Sequence, residues 1–114
     1  MKKQNVGNTP HCGHEVEGTA RLLSGKWTLL ILYYLADGTQ RFSELEKLIG
    51  INPRTLSNRL GHLEEAGVVN REGYAEVPPR VEYSLTKKGR GLIPIIEAMN
   101  EYAKKWMRSN VNSR

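Results

Sequence analysis

The chain carries one cysteine, Cys12, which excludes an intramolecular disulfide and fits a reducing, cytoplasmic setting. No apolar run approaches the roughly 20 residues that span a bilayer, and the N-terminus lacks a secretory apolar core, so no membrane partner is expected. There is no phosphate-binding glycine loop, no HExxH and no GxSxG, so the constellations that common enzymes need are missing and neither an enzyme nor a cofactor is expected. His11, Cys12 and His14 are too cramped for a zinc site and have no second cysteine pair to complete one, so no metal is expected. Internal repeats and low-complexity tracts are absent as well. What remains is a single small domain of 114 residues, 39% hydrophobic and 25% charged, with a formal net charge of +5. It is long enough for one modest core. The basic balance favours a polyanionic partner such as nucleic acid, although many small proteins are mildly basic without binding anything.

The informative stretch is RFSELEKLIGINPRTLSNRLGHLEEAGVVNR, residues 41–71. Leu45, Leu48 and Ile49 recur at i, i+3 and i+4 and so share one face of a helix. Ser43 followed by Glu46 fits a capping box, which predicts a helix start at Ser43, and Gly50 can take the left-handed conformation that ends it. Asn52 can then accept from the free N–H groups of a second helix, with Pro53 at its first position. Leu56, Leu60 and Leu63 line the inner face of that second helix. Arg54, Asn58, Gly61 and Glu65 point away from it, flanked by Thr55, Ser57, Arg59 and His62. Two helices joined by a tight turn, the second displaying Arg, Asn, Ser and Thr, predict a helix-turn-helix with a recognition helix.

Around this centre, residues 1–14 are expected to be a flexible arm and 109–114 a flexible tail, with the domain over 15–108. Val16, Ala20 and Leu23 fall at helical spacing and predict a short helix from about Glu15 to Ser24. Lys26 to Ala36 is apolar nearly all round; its length would suit a long strand, but leucine richness and the Asp37-Gly38 stop predict a central buried helix. Val68 to Arg71 reads as a short strand, GYAEVPP as a loop, and Arg80 to Leu85 as a half-buried strand, which together look like a wing. Thr86 is expected to cap one last helix kinked near Pro94. Leu92, Ile96 (or Ile95), Met99, Tyr102 (or Ala103) and Trp106 form its apolar stripe, more than one small core can absorb. The stripe predicts a subunit interface, shared with Val16, Ala20 and Leu23 of the first helix, in a homodimer. The fold class is mainly α with a small β-hairpin wing (α+β), a winged helix-turn-helix.

Gly25-Lys26-Trp27, Arg41-Phe42-Ser43-Glu44-Leu45 and Pro78-Pro79-Arg80-Val81-Glu82-Tyr83-Ser84-Leu85-Thr86, in this order and spacing, closely resemble the HxlR family of bacterial winged-helix transcriptional regulators. The similarity runs from about Val16 to Ile96. The resemblance implies a homodimer joined by its N- and C-terminal helices, binding operator DNA as repressor or activator, in some members responsive to oxidants or electrophiles. Many members carry a sensor cysteine just before the first helix; here the aligned position holds His14, and Cys12 lies two residues earlier. Cys12 is thus a candidate redox residue that the resemblance does not itself assign. Its neighbours His11 and His14 can lower a thiol pKa, and an inert thiol is the alternative.

The expected partner is double-stranded DNA, read as an inverted repeat. Arg54 and Arg59 can pair with guanine or phosphate, Asn58 can pair with adenine, and Thr55 and Ser57 suit phosphate or base edges. Arg59 can alternatively sit on a solvated face paired to a nearby Glu. Arg71, Tyr74 and Arg80 are the wing candidates, Arg80 having the alternative of an internal ion pair with Glu76 or Glu82. Lys26 and Ser43, each at a helix start, can bring phosphate onto free N–H groups. The rival class is a winged helix used only for protein–protein interaction. The operator, the regulated genes and any small-molecule inducer are not written in these motifs.

Overall fold

A computed structural model describes residues 10–107, with side chains from His14 onward. Its elements are α1 (Pro10–Leu22), α2 (Lys26–Leu35), β1 (Gln40–Arg41), α3 (Phe42–Ile49), α4 (Pro53–Glu65), β2 (Val69–Tyr74), β3 (Arg80–Leu85), α5 (Lys87–Arg90) and α6 (Ile93–Trp106). The three strands form one antiparallel sheet in the order β1-β3-β2, so the architecture is a winged helix-turn-helix.

The core gathers around α2. Thr28, Ile31, Leu32 and Leu35 are buried on one side of that helix, against Leu45 of α3, Leu56, Leu60 and Leu63 of α4, Val69 of β2, and Tyr83 and Leu85 of β3. Each fully buried aliphatic side chain stabilises the fold by about 1.5–3 kcal/mol relative to exposure. The helical alternative for residues 26–36 therefore holds over the strand alternative. The opposite side of α2 is less covered, with Leu29 and Leu30 only half-buried and Tyr33 exposed.

The turn of the helix-turn-helix follows the local chemistry closely. Gly50 ends α3 at φ 73° and ψ 38°, a conformation that costs a residue with a Cβ more than it costs glycine. The Asn52 side chain accepts from the backbone N–H groups of Arg54 at 2.8 Å and Thr55 at 3.3 Å, and Pro53 opens α4. The start of α3 differs from the expected one. Arg41, not Ser43, is the capping position, because β1 holds it extended beside β3. Glu44, three residues on, then accepts from the Arg41 backbone N–H at 2.7 Å, and Ser43 lies inside the first turn.

Four boundaries move from their predicted places. Helix α1 begins at Pro10 rather than Glu15 and ends at Leu22; proline is favoured at a helix start. His11, Cys12 and Gly13 thus lie on α1, while residues 1–9 and the 109–114 tail fall outside the described residues. β2 runs on to Tyr74, because Gly73 and Tyr74 still pair with Val81 and Arg80. β1 was not anticipated; two residues leave no period to read. The predicted single C-terminal helix is two. α5 stops at Arg90, and α6 starts at Ile93 with Pro94 at its head, since Pro94 has no N–H to return to the Arg90 carbonyl and its ring would clash there. Thr86 does cap this region, accepting from the Gly89 N–H at 3.0 Å while donating to the Gly67 carbonyl at 2.6 Å.

Candidate nucleic-acid interface

Helix α4 hangs from the core by Leu56, Leu60 and Leu63, all essentially inaccessible. That anchoring decides which side chains face out. Arg54, Ser57 and Asn58 are exposed, Thr55 is half-buried, and Glu64 and Glu65 mark the C-terminal end in solvent. Gly61 adds no side chain beyond this face, at a cost of about 1 kcal/mol in helix propensity relative to Ala. The displayed surface is thus an arginine, an amide and a hydroxyl within one and a half turns.

Arg59 goes elsewhere. Its guanidinium rests against the backbone of Gly25 where α1 gives way to α2, in a hollow shared with Arg21, Ser24, Thr28 and His62. Among the described residues it has no carboxylate partner, so the alternative pairing with a Glu is not formed. One residue of rotation separates Arg59 from Asn58, which sets it on the flank that helical spacing gives it.

In the wing, β2 and β3 pair from Val69↔Leu85 to Tyr74↔Arg80, and Val77 stands fully exposed at the tip. Arg80 is held within the protein: its guanidinium lies 3.2 Å from Glu76 and 3.4 Å from Glu82, and 4.1 Å above the centre of the Tyr74 ring. The contact to Glu82 is an ion pair without the alignment of a hydrogen bond. Both predicted carboxylates are used, so the internal alternative for Arg80 is the one observed. The Tyr74 hydroxyl is held above its usual pKa by partial desolvation and then by the charges of Glu82 and Glu72, with Arg80 opposing; it is a neutral donor at ordinary pH. Arg71 is exposed on β2. Lys26 lies over the Trp27 ring at 4.5 Å in the first turn of α2, and Ser43 is exposed in the first turn of α3. The structure adds Arg41, exposed beside the wing groove with Ser43 and Arg80; only the β1–β3 pairing puts it there.

The expected interface residues separate into two groups. Val16 (70% exposed), Met99 (47%), Tyr102 (61%) and Trp106 (64%) are open to solvent, as is Ala20. Ile96 is not: it is 8% exposed and belongs to the core with Leu92, and its neighbour Ile95 takes the outward place. Leu23 is half-buried against the core. Shallow apolar hollows flank Met99, one along α6 with Ile95, Tyr102 and Met107, the other toward α2 with Leu29 and Tyr33. The side chain of Cys12 lies outside the described residues. Among the described residues no three potential metal ligands cluster, and no helix is long and apolar enough to cross a membrane.

Comparison with known proteins agrees with this architecture. The model of the HxlR-like helix-turn-helix family matches residues 22–111. An HTH-type transcriptional regulator of Methanothermobacter thermautotrophicus is 46% identical over 99 residues, covering 86% of this chain and 76% of its own. One from Halalkalibacterium halodurans is 45% identical over 106 residues, covering 91% and 89%. Among solved structures, the redox regulator HypR in its reduced form superposes with a TM-score of 0.78 at 40% identity, over 88% of this chain and 99% of that one. Diamide-treated YodB from B. subtilis gives 0.66 at 34%, over 81% and 92%. The chain belongs to the HxlR-like helix-turn-helix family and is a transcriptional regulator of the helix-turn-helix type.

Proposed function

We propose that the protein binds an inverted-repeat operator in double-stranded DNA as a homodimer, and so acts as a repressor or activator. The observation that carries this is the pairing of two surfaces: Arg54, Ser57 and Asn58 displayed on α4, and the uncovered apolar face of α6. A helix with this outer surface fits the major groove, where arginine reads guanine and asparagine reads adenine. Thr55 at the edge of the face, and Lys26, Ser43 and Arg71 around it, are placed here as phosphate contacts that fix register. Tyr74 and Arg80 belong to the wing, with Arg80 neutralised until its carboxylates are displaced. Two-fold pairing through α6 and α1 sets half-sites about 34–36 Å apart, or a multiple of that.

Response to oxidants or electrophiles through Cys12 is a second part of the proposal. It is supported by the similarity to a protein described as a redox regulator and by the placement of Cys12 on α1, the helix proposed to join the subunits. Modification at such a position changes subunit packing and with it half-site spacing.

The test is fluorescence anisotropy of labelled duplex from upstream of the protein's own gene, against excess random competitor, with and without a thiol oxidant. Binding that resists competitor, weakens steeply with salt and changes on oxidation only when Cys12 is present is the expected result. Oxidation sensitivity that persists in Cys12→Ser removes Cys12 from the mechanism. No duplex binding at low salt makes the protein-interaction alternative the leading one.

A further inference from the structure

The flank position of Arg59 creates a site that the outer face of α4 does not explain. Three helices meet beside it: the C-terminal turn of α1, the N-terminal turn of α2 and the middle of α4. The hollow between them, of about 330 Å³, is lined by Arg21, Ser24, Thr28, Arg59 and His62, floored by Leu22 and Leu63. No carboxylate lines it. Arg59 makes no hydrogen bond or ion pair among the described residues, and Arg21 has only an exposed contact to Glu17 at 3.4 Å. An arginine carries five N–H donors in a fixed fork, open here to an acceptor that enters the hollow.

Two further features lie beside the same hollow. The first turn of α2 has no side-chain cap; its ladder begins only with Leu29 donating to Gly25 at 3.4 Å, so the earlier N–H groups present the positive end of the helix dipole. Thr28 is 4% exposed, lines the hollow and has no hydrogen-bond partner for its hydroxyl among the described residues. Two guanidiniums, an imidazole and a hydroxyl thus line one hollow that no carboxylate lines.

We propose that this hollow binds a phosphate group. Phosphate offers several acceptor oxygens around a negative charge, which matches a forked guanidinium better than a halide does. The phosphate can come from the DNA backbone or from a free phosphate species. Only the first of these sources rests on the operator-binding proposal.

The experiment follows thermal unfolding of the full-length, DNA-free protein in potassium phosphate against potassium chloride at equal ionic strength, together with duplex anisotropy. Phosphate is expected to raise the Tm saturably in the wild type, and Arg59→Gln to weaken the apparent phosphate affinity by about tenfold or more. Because Arg59→Gln can also disturb packing, Ser24→Glu is the second variant: it sets a tethered carboxylate at the exposed rim, and the phosphate effect is expected to vanish while the fold persists. If DNA supplies the group, Arg59→Gln lowers affinity for cognate and random duplex alike and reduces the salt slope by about one. If a free species supplies it, the salt slope stays while the Tm response is lost. A Tm that phosphate does not raise above chloride, with an unchanged salt slope in Arg59→Gln, overturns the proposal, as does a phosphate effect that survives both variants. A protein that binds no duplex leaves the thermal arm to decide the phosphate site alone.

Discussion

At the scale of single residues, what could be read from the sequence was what depends on near neighbours. Gly50, Asn52 and Pro53 act within one turn of chain, and each takes its predicted place. Asn52 satisfies two otherwise unpaired N–H groups of the recognition helix, so Asn52→Ala is expected to lower unfolding free energy by about 1 kcal/mol, measured by urea denaturation. A shift below a few tenths would mean that water replaces the cap. Gly89 shows the opposite case. A Cβ there would collide with the backbone carbonyl of Val68 and crowd Leu85, so neither side can yield. Gly89→Ala is expected to cost about 1–3 kcal/mol, and an unchanged denaturation midpoint would show that the α5 turn shifts freely. Nothing local announces that contact, and although helical spacing sets Arg59 on the flank of α4, nothing local announces that it meets Gly25 there. Both depend on where distant segments cross.

At the scale of elements, periodicity carried the long helices and β3, and failed where an element is short or where tertiary pairing sets its limits. β1 has two residues, yet it moves the start of α3 by holding Arg41 extended, which is why the Ser43–Glu46 cap is replaced by Arg41 and Glu44. The C-terminal stripe was visible, but Pro94 makes a break of what the pattern alone joins. The wing yields a prediction of its own. With Arg80 between Glu76 and Glu82, its charge is largely cancelled before DNA arrives. The double variant Glu76→Gln with Glu82→Gln frees the guanidinium and removes two negative charges from the wing. Anisotropy titrations should then show tighter binding to cognate and random duplex alike, with a salt slope steeper by about one. Equal or weaker affinity would place the wing away from the phosphates.

At the scale of the whole molecule, the shape is the unusual quantity. A compact chain of this length has a radius of gyration of about 13 Å, whereas the observed value is 17.1 Å, with extents of 59 × 41 × 22 Å. The excess lies in α1 and α6, whose side chains beyond the core are mostly solvent-exposed. Val16 on one helix and Met99, Tyr102 and Trp106 on the other expose apolar area that a monomer gains nothing from displaying. In the proposed homodimer a second copy covers this surface by the same residues on both sides of a two-fold axis. Since Tyr102 is exposed, Tyr102→Glu removes no contact of the monomer core, and the Tm of the dissociated chain should be limited by the α2-centred core alone. Sedimentation equilibrium is expected to shift from dimer to monomer. Operator affinity is then expected to fall by roughly 10²–10⁴-fold, because each half-site must be bound without the effective concentration that the partner supplies. A variant that stays dimeric would move the interface off α6, whereas a monomer with full operator affinity would remove the two-fold operator and leave a single α4 reading one site.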